Sequence, residues 1–181
     1  MARVLVPLAQ GCEEIEAVTI INILRRAGIE VLSAGLDGQP VKASRGVTLL
    51  ADATLDEALR QEFDMVVLPG GQPGTNNLNA DPRIIALLRD MAAKGKYTCA
   101  ICAAPLVLGH AGLLQGKQAT SYPGSLDATS GATLSAAPVV RDGKVITSRG
   151  PGAALDFSLE LVETLAGKTR REQVEAALQR P

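Results

Sequence analysis

The stretch Tyr97–Ile101 and its continuation through Pro105 constrain this chain most. A β-favouring run stops at Cys102, two alanines follow, and Pro105 then suits the first turn of a helix. A strand passing straight into a helix needs a sharp corner, which thrusts the side chain at its apex outward. The pattern small-x-nucleophile-x-small, here Ala100-Ile101-Cys102-Ala103-Ala104, is the thiol form of this nucleophile elbow. Small neighbours permit the turn and the approach of a substrate, and the helix N-terminus beyond favours thiolate over thiol. A cysteine ending a central strand also serves as core filler, and the pattern alone does not choose. Cys99 and Cys102 form a C-x-x-C, but Cys99 falls inside the strand and the usual polar or proline spacer is lacking, which argues against a redox dithiol.

Strand and helix signals alternate on both sides of this corner. Residues 3–8 read as a buried strand, 13–27 as a helix, and 29–34 as a second strand. The helix carries Ile15, Val18 and Ile21 at near-helical spacing, acids in its first turn, Arg25 and Arg26 in its last, and Gly28 as C-cap. Residues 41–50 suggest one or two short strands broken at Ser44-Arg45-Gly46, and 55–59 a short helix. Residues 64–68 form a strand closed by Pro69-Gly70-Gly71, with a Gly-, Asn- and Pro-rich loop running to Asn79. Helices follow at 82–94 and 105–110, a further strand at 117–121, and a hairpin at 138–147 turning on Asp142-Gly143. Helices at 153–166 and 170–178 close the chain. The expectation is a single α/β domain over 1–181, a mostly parallel sheet with helices on both faces. Such sheets bind ligands at the carboxyl ends of their strands, where loops 11–16, 69–74 and 102–105 should converge.

Composition removes several function classes. Net charge is -1 and aromatics are 2%, so the chain offers neither a basic footprint nor stacking platforms for nucleic acid, and nothing for an anionic membrane. Three cysteines, an odd count, argue against a disulfide framework and for a reducing compartment. Residues 1–8 run into Glu13 without a cleavage-site pattern and read as a first strand, not a signal peptide. No run reaches the ~18 apolar residues of a membrane span. A cytoplasmic protein is expected. One histidine and dispersed cysteines suggest no metal, and the glycine loops lack phosphate fingerprints, so no cofactor is expected.

With these motifs assembled, the chain resembles the DJ-one/PfpI superfamily from about Val4 to Gly167, and within it the branch of a parkinsonism-associated protein deglycase and its bacterial relatives. The resemblance rests on Gly11-Cys12-Glu13-Glu14-Ile15-Glu16, Leu24-Arg25-Arg26-Ala27-Gly28-Ile29, Val67-Leu68-Pro69-Gly70-Gly71, Ala100-Ile101-Cys102-Ala103-Ala104-Pro105 and Thr147 to Gly152, in order. It implies a flavodoxin-like three-layer sandwich, a homodimer, and Cys102 as nucleophile. It implies that Glu16 sits beside the cysteine; a protonated Glu16 would donate to a thiolate, whereas a carboxylate would repel it. Read from the sequence alone, Glu16 is rather an exposed first-turn acid favoured by the helix dipole. Gly71 and Ala103 fall where the family holds an oxyanion on backbone N–H groups, Gly70 lies beside them, and Arg45 matches an arginine near the site. The Gly70-Gly71 pair is otherwise a tight turn and Arg45 a solvated loop residue.

Two departures matter. Many members carry a histidine in the segment matching 120–124, where this chain has Tyr122, and an aspartate of the first helix is replaced by Asn22. The one histidine, His110, has no reason to face Cys102, so a Cys–His dyad and a protease reading are not supported. What the resemblance implies is a glyoxalase III-like or deglycase enzyme acting on methylglyoxal, glyoxal or early glycation adducts in carbonyl-stress defence. The rival is a redox sensor or chaperone working through oxidation of Cys102, with Cys12 a resolving thiol at the pocket rim or a plain loop residue.

Overall fold

Alternating side chains on the first strand supply both faces of a sheet: Val4, Val6 and Leu8 enter one core, Leu5 and, just past the strand, Ala9 the other. The computed structural model describes residues 1–180. In chain order it contains β1 (Arg3–Leu8), α1 (Glu14–Arg26), β2 (Glu30–Gly35), β3 (Val41–Lys42), β4 (Thr48–Leu49), β5 (Ala53–Thr54), α2 (Leu55–Ala58) and β6 (Met65–Leu68). Then follow α3 (Gly74–Ala80), α4 (Pro82–Ala93), β7 (Tyr97–Ile101), α5 (Pro105–His110), β8 (Gln118–Ala119), β9 (Thr133–Leu134), β10 (Val139–Asp142), β11 (Val145–Ser148), α6 (Ala154–Ala166) and α7 (Lys168–Ala177).

The main sheet has the order β10-β11-β7-β6-β1-β2-β5. Every pairing in it is parallel except β10 with β11, the hairpin read from Asp142-Gly143. Residues of α1 and α6 close one face over Val4, Met65, Val67, Cys99, Ile101 and Ile146. Residues of α3, α4 and α5 close the other over Leu5, Val66, Leu68, Ala100 and Val145. The result is the expected sandwich, a mostly parallel sheet between two helical layers. No described helix is long and apolar enough to cross a membrane.

Because β1, β6 and β7 are adjacent and parallel, their carboxyl ends meet at one edge, and the loops after them open together. Three expectations need correction. The loop expected up to Asn79 holds a helix, α3, anchored by the Thr75 N–H donating to the Gly71 carbonyl. The strand expected at 117–121 shrinks to β8, which pairs with β9 in a separate two-stranded sheet. Glu13 does not belong to α1 but caps it, its carboxylate accepting from the Glu16 N–H at 2.8 Å.

Candidate active site

Cys102 stands at the end of β7 with φ 65, a left-handed conformation that costs an L-residue roughly 1–3 kcal/mol. The neighbouring strand holds the corner in place. The Cys102 N–H donates to the Ser148 carbonyl of β11 at 2.8 Å, and the Cys102 carbonyl accepts from the Tyr122 N–H at 2.7 Å. The Cys102 side chain is nearly buried, with 8% of the residue exposed.

Glycines let two loops close around it. A Cβ on Gly70 would stand 2.6 Å from the Cys102 Cβ and 2.9 Å from Glu16 Oε2, so only glycine fits between the two. Gly71, at φ 88, lies against the backbone of the loop before α1, where a Cβ would fall 2.8 Å from the Gly11 carbonyl oxygen. The Glu13 N–H donates to the Gly70 carbonyl at 2.9 Å, and the Gly74 N–H to the Gly11 carbonyl at 3.1 Å. These bonds bring the first turn of α1 to the elbow.

Glu16 therefore lies under the site and not on the surface. It is fully buried; Oε2 accepts from the Gly70 N–H at 2.8 Å, while Oε1 has no hydrogen-bond partner among the described residues. Burial pushes its carboxyl up to about 7, against the lowering pull of the Gly70 N–H and the Cys102 thiol. Burial, and then the Glu16 carboxylate, push the Cys102 thiol up to about 12; the Gly71 and Ala103 N–H groups pull it down. The expected bias toward thiolate is thus reversed while Glu16 is charged. The six-residue α5 and two N–H groups are outweighed by desolvation and a neighbouring negative charge. The pair holds one proton comfortably. With the proton on Glu16, the repulsion disappears and Oε1 has a hydrogen to donate.

A cleft of about 390 Å³ opens over the thiol, lined among others by Glu13, Arg45, Gly71, Ala103 and Tyr122. The structure brings Cys102, Glu16, Gly70, Gly71, Ala103 and Arg45 around one point, although Glu16 sits beneath the cleft and does not line it. His110 is elsewhere: exposed at the end of α5, its Nδ1 lies 2.8 Å from Asn79 Oδ1. Cys12 is fully buried and not at the rim, with its thiol pushed up to about 11 by burial. Cys99 is buried in the core between the sheet and α1 and α6, and burial likewise raises its thiol; all three cysteines are free. No cluster of three or more metal-ligating side chains occurs among the described residues.

One residue of the neighbourhood escaped the sequence reading. Glu14 is buried and receives the Arg45 N–H at 2.9 and 3.1 Å on its two oxygens, the Ser44 hydroxyl at 3.1 Å and the Val47 N–H at 3.5 Å. Burial opposes its charge, but these donors and its own N–H hold the carboxyl below the usual range. The only hint in the sequence was three acids at one helix start.

Comparisons with known proteins agree with the fold. The DJ-1/PfpI family model matches residues 2–164. The protein dj-1beta of Drosophila melanogaster is 44% identical over 177 residues, 96% of this chain and 95% of its own. The glutathione-independent glyoxalase DJR-1.2 of Caenorhabditis elegans is 37% identical over 168 residues, 92% of this chain and 89% of its own. The crystal structure of Drosophila melanogaster DJ-1beta superposes with a TM-score of 0.92 at 43% identity, covering 98% of this chain and 97% of that one. Extending over nearly the whole chain and reaching the motifs at the elbow, this match makes the chain a member of the DJ-1/PfpI family.

Proposed function

We propose that the chain is a cysteine-dependent, glutathione-independent glyoxalase-type enzyme acting on small 2-oxoaldehydes such as methylglyoxal and glyoxal. The observation that carries this reading is Glu16: a buried carboxyl beside Cys102 that changes protonation near neutrality and has one oxygen unengaged. A group of that kind moves protons in both directions at working pH. The glyoxalase relative from Caenorhabditis elegans supports the substrate class.

The Glu16 carboxylate takes the proton of the Cys102 thiol as the sulfur adds to the aldehyde carbon, and the Glu16 carboxyl then delivers that proton to the alkoxide, giving a hemithioacetal. The Gly71 and Ala103 N–H groups, which face the sulfur, stabilise the oxyanion on the way. The Glu16 carboxylate then removes the hydrogen from the former aldehyde carbon. Electrons shift to the adjacent carbonyl, which is protonated, leaving an enediol. Return of a proton to the second carbon gives a Cys102 thioester of the 2-hydroxy acid. Water cleaves that thioester, restoring the thiol and releasing lactate or glycolate. The first carbon is oxidised and the second reduced, so no external oxidant or metal is consumed. Arg45 at the cleft wall receives the carboxylate of the product. Early glycation adducts would enter the same sequence, and a homodimeric, cytoplasmic protein of one domain completes the reading.

The test is lactate production from methylglyoxal, without glutathione, by wild type, Cys102→Ser and Glu16→Gln. Turnover in wild type lost in both variants is the expected result. Turnover that survives Cys102→Ser overturns the mechanism. An inactive wild type whose Cys102 takes up two oxygens from peroxide, while buried Cys12 and Cys99 stay reduced, would favour the sensor reading, for which the N–H groups facing the sulfur would hold the anion.

A further inference from the structure

The hairpin β3–β4 pairs only with itself and is not part of the main sheet. Its tip, residues 44–47, closes on its own turn bonds, from the Ala43 N–H to the Val47 carbonyl at 2.8 Å and from the Gly46 N–H to the Ala43 carbonyl at 3.0 Å. The hairpin's base is tied to the loop before α1 by the Gly11 N–H on the Lys42 carbonyl at 2.8 Å. The tip itself reaches the body of the protein through the Ser44 N–H on the Cys12 carbonyl at 2.8 Å and through the donors that converge on Glu14. Arg45 is exposed and lines the cleft above Cys102, and among the described residues its guanidinium enters no ion pair or side-chain hydrogen bond. Its backbone is held; its charge is left for something else.

A buried carboxylate that collects backbone N–H groups from one loop tip acts as a fixed peg, since each donor would otherwise return to water and release the tip. We propose that Glu14 is a positioning residue. Its carboxylate pins the 44–47 tip to the first turn of α1 and so keeps the Arg45 charge at the cleft wall, making the cleft selective for substrates that carry or develop an anionic end next to the reacting carbon. The opposing sign is present as well: the Glu13 carboxylate also lines the cleft. Placement of Arg45 therefore decides whether an anion is welcomed or repelled. This inference rests on the reading of Arg45 given above and deepens it.

The test avoids turnover, so its failure is separate from failure of the glyoxalase reading. Cys102 is alkylated by iodoacetate, an anion, and by iodoacetamide, its neutral counterpart, and the rate ratio is followed by mass spectrometry of the Cys102 peptide. Any change in the ionisation of Cys102, or a general loosening of the fold, affects both reagents alike and cancels. Arg45→Ala should lower the iodoacetate-to-iodoacetamide ratio by about fivefold, the scale of one partly exposed charge contact. Glu14→Ala should lower it to a similar extent, and the double variant no further, because the two residues act in series. Glu14→Gln keeps the side-chain volume where truncation fails to fold; with one acceptor left it should fall between. A wild-type ratio in folded Glu14→Ala or Glu14→Gln overturns the proposal. A wild-type ratio in Arg45→Ala overturns it equally, since Glu14 then has no charge to position.

Discussion

Glu14 and Glu16 lie two residues apart in one turn of α1, both buried, and their surroundings drive them in opposite directions. Glu14 faces the 44–47 tip, where a hydroxyl and two loop N–H groups from that tip satisfy it, and it is held charged. Glu16 faces the elbow, where one N–H is available and a thiol is the other neighbour, and it is held close to neutrality. Depth and donors both separate them: Glu16 is wholly buried and desolvation prevails, whereas Glu14 keeps 8% of its surface exposed and its donors prevail. One carboxylate is thereby fixed as a peg and the other left free to exchange a proton.

The largest consequence is catalytic. Glu16→Gln keeps the shape but removes the proton carrier, and turnover on methylglyoxal should fall about 10²- to 10⁴-fold. Glu14→Gln should cost far less and act chiefly through KM. Similar losses of kcat in both variants, measured side by side, would erase the distinction. Glu16→Gln should also lower the pH at which Cys102 reacts with iodoacetamide, because the charge that raises the thiol is gone.

Stability against pH gives the next largest effect, with opposite signs for the two residues. The Glu16 carboxyl moves from its ordinary 4.5 to about 7 on folding. Above pH 4.5 the unfolded chain loses this proton while the folded chain keeps it, so stability falls as pH rises to 7, by roughly 3 kcal/mol. Glu14 is lowered on folding, so its contribution is present above pH 4.5 and lost as pH falls through its folded value. Urea midpoints at pH 4, 5.5 and 7.5 separate the two. The deficit of Glu14→Gln should shrink toward acid, and Glu16→Gln should gain on wild type toward neutrality. Parallel curves would show that the two environments do not differ.

Glycines on the two sides sharpen the contrast further. Gly70→Ala would force a methyl between Cys102 and Glu16, and about 1–3 kcal/mol of stability should be lost together with turnover. Gly46, at the loop tip, has φ 97 and open space where a Cβ would go. Gly46→Ala should cost only the conformational strain, about 1–2 kcal/mol, measured by the same urea titration. A larger loss at Gly46 than at Gly70 would mean that the elbow is the softer region.

The asymmetry between the two regions also explains what the sequence revealed. Most of the sheet was legible because its strands are short apolar runs bounded by glycine and proline, and β7 and α5 fall on the expected residues, whereas the two-residue edge strand β5 was not anticipated. Helix α3 was not, since Gly74-Thr75-Asn76-Asn77-Leu78-Asn79-Ala80 carries one large apolar residue and forms by packing on the loop before α1. The first turn of α1 inverts the usual hydrophobic pattern: Glu14 and Glu16 point inward while Ile15 is 56% exposed. Periodicity therefore places both acids on the wrong side, and only the resemblance brought Glu16 to Cys102. Nothing in the sequence showed the convergence of donors on Glu14, which depends on a hairpin tip thirty residues away. Elbow and family motifs are local; the proton affinity of the elbow is not, because it is set by burial and a carboxylate from another element.

The smallest effect is expected where the only histidine of the chain stands. A cysteine enzyme invites the assumption that its histidine is the base, and a general base must come within hydrogen-bond reach of the proton it takes. His110 is exposed on the far end of α5, paired with Asn79, and outside the residues lining the Cys102 cleft. Beside the elbow stands instead Tyr122, whose N–H donates to the Cys102 carbonyl and which is half exposed. His110→Ala should therefore leave kcat/KM for methylglyoxal, and the pH profile of Cys102 alkylation, within experimental error of wild type. A shift in either curve would transfer the proton-carrying role from Glu16 to His110 and remove the contrast between the two carboxylates on which the mechanism stands.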